Sequence, residues 1–94
     1  MIDVRGNEFW RAGHKIGYLS DNDIFSDEGK KLGYVSGNAI YAAHDNERLA
    51  YLKGNFVYDA RSGKHTEIEE NREHIVGGQI SDVYRAAVRL FLGD

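Results

Sequence analysis

Four histidines, His14, His44, His65 and His74, and six hydroxyl side chains, Ser20, Ser26, Ser36, Ser62, Ser81 and Thr66, are the first residues of this 94-residue chain whose types suit chemistry. Zinc needs three or four pre-assembled ligands, and no HxH or HxxxH spacing brings two of these histidines onto one element. They read as turn histidines, and no metal is expected. Nucleophilic catalysis needs a hydroxyl or thiol held against a base. The chain has no cysteine, and most of its hydroxyls fall among turn residues, where a local hydrogen bond occupies them. The carboxylates Asp21 and Asp23, and Glu67, Glu69 and Glu70, would need a recess to lift a pKa for acid–base work and read instead as solvated charge. No GxGxxG or P-loop pattern precedes a helix, so no phosphate cradle is expected. No catalytic residue and no cofactor is assigned, and the chain is expected not to be an enzyme.

Two sets of residues suit binding instead. Trp10, Tyr18, Phe25, Tyr34, Tyr41, Tyr51 and Tyr58 recur along the chain, and a repeated aromatic face stacks on sugars, bases or extended peptides. Packing across a hairpin accounts for the same residues, because cross-strand aromatic pairs stabilise sheets. Arg85 and Arg89 stand at i,i+4 spacing in an otherwise apolar segment. They suit recognition of an anion, or pairing with carboxylates while their aliphatic stems lie along apolar surface. Trp10, Tyr18, Tyr34, Tyr41, Arg85 and Arg89 are therefore the candidate ligand-binding residues.

The elements that position them repeat. An apolar residue, two turn residues and an Asn recur as Val4-Arg5-Gly6-Asn7, Leu19-Ser20-Asp21-Asn22, Val35-Ser36-Gly37-Asn38, Leu52-Lys53-Gly54-Asn55 and Ile68-Glu69-Glu70-Asn71, with the Asn residues 15, 16, 17 and 16 positions apart. Short runs rich in Val, Ile, Leu and Tyr between Gly, Asn and Asp read as strands joined by tight hairpins, with Asn and Gly supplying positive φ. Strands are placed near 2–4, 8–11, 15–19, 23–26, 31–35, 39–43, 48–52, 56–60, 64–68 and 72–76, with the terminal halves meeting. If each pair ending in Asn is the turn, Tyr18 faces Phe25, Tyr34 faces Tyr41 and Tyr51 faces Tyr58, because opposed residues share a face. The other face is aliphatic, with Gly17, Gly33, Ala50 and Thr66 as slots for close approach.

After a break at Gly77-Gly78, Ser81 offers an N-cap, Asp82 suits the first turn and Gly93 suits the position past the helix end. Residues 82–92 read as one helix, apolar around most of its circumference and so expected to be buried. The fold class that follows is mostly β: four repeated β-hairpins in a pseudo-four-fold ring around a C-terminal helix at about 82–92. The organisation is a single domain over 1–94, with hairpin repeats over 1–76, a linker over 77–81 and a helical segment over 82–93.

The stretch from Phe25 to Tyr41, with Asp27, Gly29, Gly33, Tyr34, Gly37, Asn38 and Ile40, resembles the repeat of the four-fold beta-flower domain of bacterial proteins. The resemblance covers about residues 8 to 70 and implies four hairpins around a pseudo-four-fold axis, with no established activity to carry over. The first unit departs by Trp10 and a shorter mid-turn, the fourth by Thr66-Glu67 in place of Gly-Tyr.

A formal net charge of -3 removes the electrostatic attraction that dominates non-specific nucleic-acid binding. No apolar run reaches the length of a membrane span, and Asp3, Arg5, Glu8 and Arg11 stand where a signal peptide would be apolar. A cytoplasmic chain is expected. The partners left open are a protein, a small ligand or a second copy of the chain. The expected function is a non-enzymatic binding or protein-interaction module presenting turn tips or aromatic faces. The alternative is binding of a small anionic ligand or lipid headgroup at the ring mouth near the helix.

Overall fold

Alternating apolar and polar residues between the Asn turns build nine strands, β1 (Ile2–Arg5), β2 (Glu8–Arg11), β3 (His14–Ser20), β4 (Asp23–Ser26), β5 (Lys31–Ser36), β6 (Ala39–Ala42), β7 (Arg48–Lys53), β8 (Phe56–Asp59) and β9 (His65–Glu67). The helix α1 (Ile68–His74), a two-residue strand β10 (Ile75–Val76) and the helix α2 (Asp82–Leu92) complete the chain. The computed structural model describes residues 1–93; Asp94, the last residue of the expected domain, lies outside them. All ten strands share one sheet in the order β10-β1-β2-β3-β4-β5-β6-β7-β8-β9. The fold is mostly β. Every pair is antiparallel except β1 with β10, which run parallel with Ile2 opposite Ile75.

One register recurs in the four hairpins: Val4 opposes Phe9, Leu19 opposes Ile24, Val35 opposes Ile40 and Leu52 opposes Val57. The pairs between hairpins share a device too, a register shift at Phe9/Trp10, Ile24/Phe25 and Ile40/Tyr41. Such bulges increase local twist and bend the bulged strand. Positive φ falls on the first loop residue, Gly6, Asp21, Gly37 and Gly54, and not on the Asn as expected. The Asn does different work. Its carbonyl accepts the N–H of the last apolar residue before the next turn, that of Leu19 at Asn7, Val35 at Asn22 and Leu52 at Asn38, and at Asn55 the N–H of Ile68, which opens α1, at 2.8 to 2.9 Å. Each Asn thus ties its hairpin to the next.

The fifth copy breaks the pattern. The strand expected near 72–76 is helix α1 as far as His74, and Asn71 lies buried inside that helix instead of in a turn. Glu69 and Glu70 in its first turn and Arg72 and His74 in its last turn complement the helix dipole. Ile68, Asn71 and Ile75 recur at helical spacing and are buried, so a period near 3.6 prevails over the period of two. Helix α1 spans from β9 to β10, the two ends of the sheet.

One sheet face, carrying Val4, Phe9, Ile24, Val35, Ile40 and Ala50, packs with Val83, Ala86, Ala87 and Val88 of α2 to form the core. Helix α2 runs over the expected residues and ends at Gly93, whose φ is 75° and whose N–H reaches the Arg89 carbonyl. It is less fully enclosed than its composition suggested, since Leu90 is 48% exposed. Ser81 caps with its carbonyl, which accepts the N–H groups of Tyr84 and Arg85, and not with its hydroxyl. Arg72 clamps Asp82 through two hydrogen bonds of 2.9 and 2.8 Å, joining α1 to the first turn of α2. This pairing holds the Asp82 carboxyl below the usual carboxylate range and raises the Arg72 pKa.

Candidate functional site

The seat of α2 follows from the four slots on the aliphatic face. Gly17 and Gly33 have no Cβ, and the C-terminal turn of α2 occupies the space: a Cβ at Gly17 would lie 3.1 Å from Leu92, and one at Gly33 would overlap the Phe91 ring. The matching slots in the later units are Ala50 and Thr66, both of which line a cleft beside the helix. Helix α2 accordingly packs on β4, β5, β6, β10 and α1. Its other flank faces a cleft of about 470 Å³ towards β7, β8 and β9. Arg11 of β2 braces the end of the helix, donating to the carbonyls of Leu92, at 2.9 Å, and Gly93.

Leu49, Ala50, Val57, Ala86 and Leu90 give the cleft an apolar wall, while Asn71, Arg89, Lys64 and Thr66 give it polar groups. Asn71 is 4% exposed. Its Oδ1 accepts a hydrogen bond of 3.3 Å from Arg89 Nη1, which fixes the amide orientation and leaves Nδ2 buried without an acceptor among the described residues. A buried donor left unmatched costs about 1–3 kcal/mol. Glu70 lies 3.6 Å from Arg89. Asp59 is the one carboxylate in the lining among the described residues, and its Oδ1 already accepts the backbone N–H groups of Ser62 and Arg61, both at 2.9 Å. Those bonds, that of Ser62 first, hold its pKa below the usual range.

Of the two arginines singled out in the sequence, only Arg89 reaches the cleft. Arg85 donates to the carbonyls of Ile75 and Gly78, at 2.8 and 3.4 Å, and fastens the segment after β10 to α2. The aromatic residues lie on the opposite sheet face, half-buried. Tyr18 stacks on Phe25, Tyr34 on Tyr41 and Tyr51 on Tyr58, with centroids 5.0 to 5.4 Å apart and planes within 11°. Each unit adds a cation: Lys15 over Tyr18, Lys31 over Tyr34, Arg48 over Tyr51 and Arg5 over Trp10, between 4.6 and 5.2 Å from the ring centroid. The structure thus stacks Tyr18 on Phe25 and Tyr34 on Tyr41, each pair within its own hairpin on the sheet face that carries Trp10, and separates them from both arginines. Among the described residues, no three His, Asp or Glu side chains cluster as a metal site, and no helix is long and apolar enough to cross a membrane.

No family model, curated protein or solved structure matches the chain. The residues that matter most in the cleft, Asn71, Leu49 and Val57, were not singled out from sequence. Asn71 stood concealed as the fifth turn of a series. A signal was nonetheless present, because glycine stands at the two slots that the end of α2 fills and larger residues at the two that line the cleft.

Proposed function

We propose that the chain is a non-enzymatic binding module that takes a small ligand into the cleft between α2 and strands β7 to β9. The observation that carries this reading is the Asn71 amide, buried with its Nδ2 donor unmatched at a wall of the cleft. Buried polar groups find partners, so a ligand oxygen at this point gains a hydrogen bond without displacing one. A volume of about 470 Å³ falls in the range of ligand sites, as does a mainly apolar lining with a few convergent polar groups. The scaffold is in this reading a four-fold beta-flower, a pseudo-four-fold ring of hairpins about α2. One register in four hairpins and one bulge between three successive pairs support it.

A thermal-shift screen of chemically diverse small molecules tests the reading, because a compound that binds only the folded chain raises Tm. Several hits whose shifts vanish in Asn71→Leu are expected. A panel without hits would overturn it. A second reading, contact with a protein partner, rests on the half-buried aromatic face and its row of cations. It predicts that a Tyr34→Ser/Tyr41→Ser chain folds but loses that partner.

A further inference from the structure

We infer that the aromatic sheet face around Arg48 docks a protein segment presenting an Asp or Glu side chain among apolar residues, an inference that rests on the partner-contact reading above and not on the cleft. A difference between the repeats carries it. In the first two units the residue after the turn Asn is acidic and neutralises the cation over the next tyrosine: Glu8 lies 3.2 Å from Lys15, over Tyr18, and Asp23 lies 3.3 Å from Lys31, over Tyr34. The third unit sets Arg48 over Tyr51 at 4.6 Å. Register makes the three places equivalent, because Glu8 opposes Tyr18, Asp23 opposes Tyr34 and Ala39 opposes Tyr51. Ala39 thus stands where the acid stands in the first two units. The acid next to Arg48 in sequence, Glu47, is clasped by Arg61 through hydrogen bonds of 2.8 and 2.7 Å. Arg48 is exposed, and among the described residues no carboxylate pairs with it. Gly93, the last of those residues, lies on the other side of the sheet, against Arg11 and the cleft.

The chemistry of the occupant follows from what Arg48 and its neighbours leave open. Tyr51 already has Tyr58 stacked on it at 5.4 Å and the guanidinium over it, so a base or a sugar would have to displace one of them. A guanidinium over a ring keeps its N–H donors at its own edge, where one carboxylate accepts two of them at once. A polyanion such as a nucleic acid is disfavoured, because Lys15 and Lys31 are already neutralised and the chain carries a net charge of -3. The surroundings of Arg48 are apolar: Tyr41 opposes it, and Phe56 meets Tyr58 edge-on at 6.4 Å, with all these rings half-buried. Exposed Arg beside Tyr is the pairing that carries binding energy at the centre of protein interfaces. A carboxylate flanked by apolar side chains complements it in charge and in surface.

The test is selection of a phage-displayed library of random dodecapeptides on the full chain, followed by titration of the enriched peptides in solution. The enriched peptides are expected to share an Asp or Glu beside aliphatic or aromatic residues. Arg48→Gln in the chain, and the amide in place of the acid in the peptide, are each expected to weaken binding by about tenfold or more, the usual scale for a hydrogen bond to a charged group. The two changes together should cost no more than either alone, because they remove one interaction. Arg5→Gln, at a cation flanked in register by Asp3 and Glu8, is expected to leave binding unchanged. An equal loss in Arg5→Gln would overturn the placement at Arg48, and displacement of the peptides by an equal concentration of N-acetylglutamate would replace the protein segment by a small acid. Peptides that bind Arg48→Gln as tightly as the parent but fail on the Tyr34→Ser/Tyr41→Ser chain would overturn the inference and leave the partner-contact reading. A selection that enriches no peptide overturns the inference, and one whose peptides are sensitive to neither change overturns the partner-contact reading with it.

Discussion

Replacing Gly33 by alanine should displace α2 and destabilise the chain far more than adding one methyl group to a strand ordinarily would. The new Cβ would overlap the Phe91 ring and the Tyr41 backbone carbonyl. The tip of the ring must swing aside, and the carbonyl belongs to the backbone of the neighbouring strand β6, which cannot. Forcing extra volume into a packed site costs about 1–3 kcal/mol. With one obstacle being backbone, the upper part of that range, about 2–3 kcal/mol, is expected. At about 4–8 °C per kcal/mol for a domain of this size, Tm should fall by roughly 8–24 °C. Urea denaturation should show a lower midpoint with an unchanged slope. In a Phe91→Ala background the same substitution should cost at least about 0.5 kcal/mol less, because one obstacle has gone. A Gly33→Ala chain within about 0.5 kcal/mol of the parent, or a cost unaltered by Phe91→Ala, would refute the seating of α2 in the glycine slots.

Val88 is fully buried and Leu90 is 48% exposed, so Val88→Asp should cost several kcal/mol or abolish folding, while Leu90→Asp should cost about 1 kcal/mol or less; urea midpoints separate the two. The Asp82 carboxyl is held below its ordinary value by Arg72, so its contribution to stability is complete above the unfolded pKa near 3.9 and is lost as pH falls through the lower folded value. Asp82→Asn should therefore flatten the decline in urea stability between about pH 5 and pH 2. A chain ending at Ile80 lacks Val83, Ala86, Ala87 and Val88 from the core and should show no cooperative thermal transition.

Most of the sheet was legible in the sequence because its register is set at the turns. Once the pair ending in Asn is the loop, Tyr18 must oppose Phe25 and Tyr34 must oppose Tyr41, as they do. The bulges were not legible, since a register shift beside Trp10, Phe25 or Tyr41 leaves no mark in the alternation of one strand alone. The fifth repeat misled for a physical reason: Ile68-Glu69-Glu70-Asn71 has the letters of a turn, but its acidic pair suits the first turn of a helix and Arg72 and His74 suit the last. Arg85 and Arg89 shared one helical stripe, yet the elements beside them differ, so one fastens the chain after β10 and the other reaches the cleft. That cleft is lined by Ala50 and Thr66, the two slots without glycine, a difference that gains meaning only once α2 is seated against Gly17 and Gly33.

The central claim is that the cleft beside α2 holds a ligand against Asn71, and the most direct measurement is a heteronuclear NMR titration that follows the Asn71 side-chain amide as the compound with the largest thermal shift is added to the full chain. The Asn71 Nδ2 protons should shift progressively to a plateau together with the backbone amides of Ala50, Val57 and Ala86, while those of Tyr18, Tyr34 and Tyr41 on the opposite face stay in place. Movement confined to the aromatic face, or an Asn71 amide unmoved while that compound binds, would contradict it.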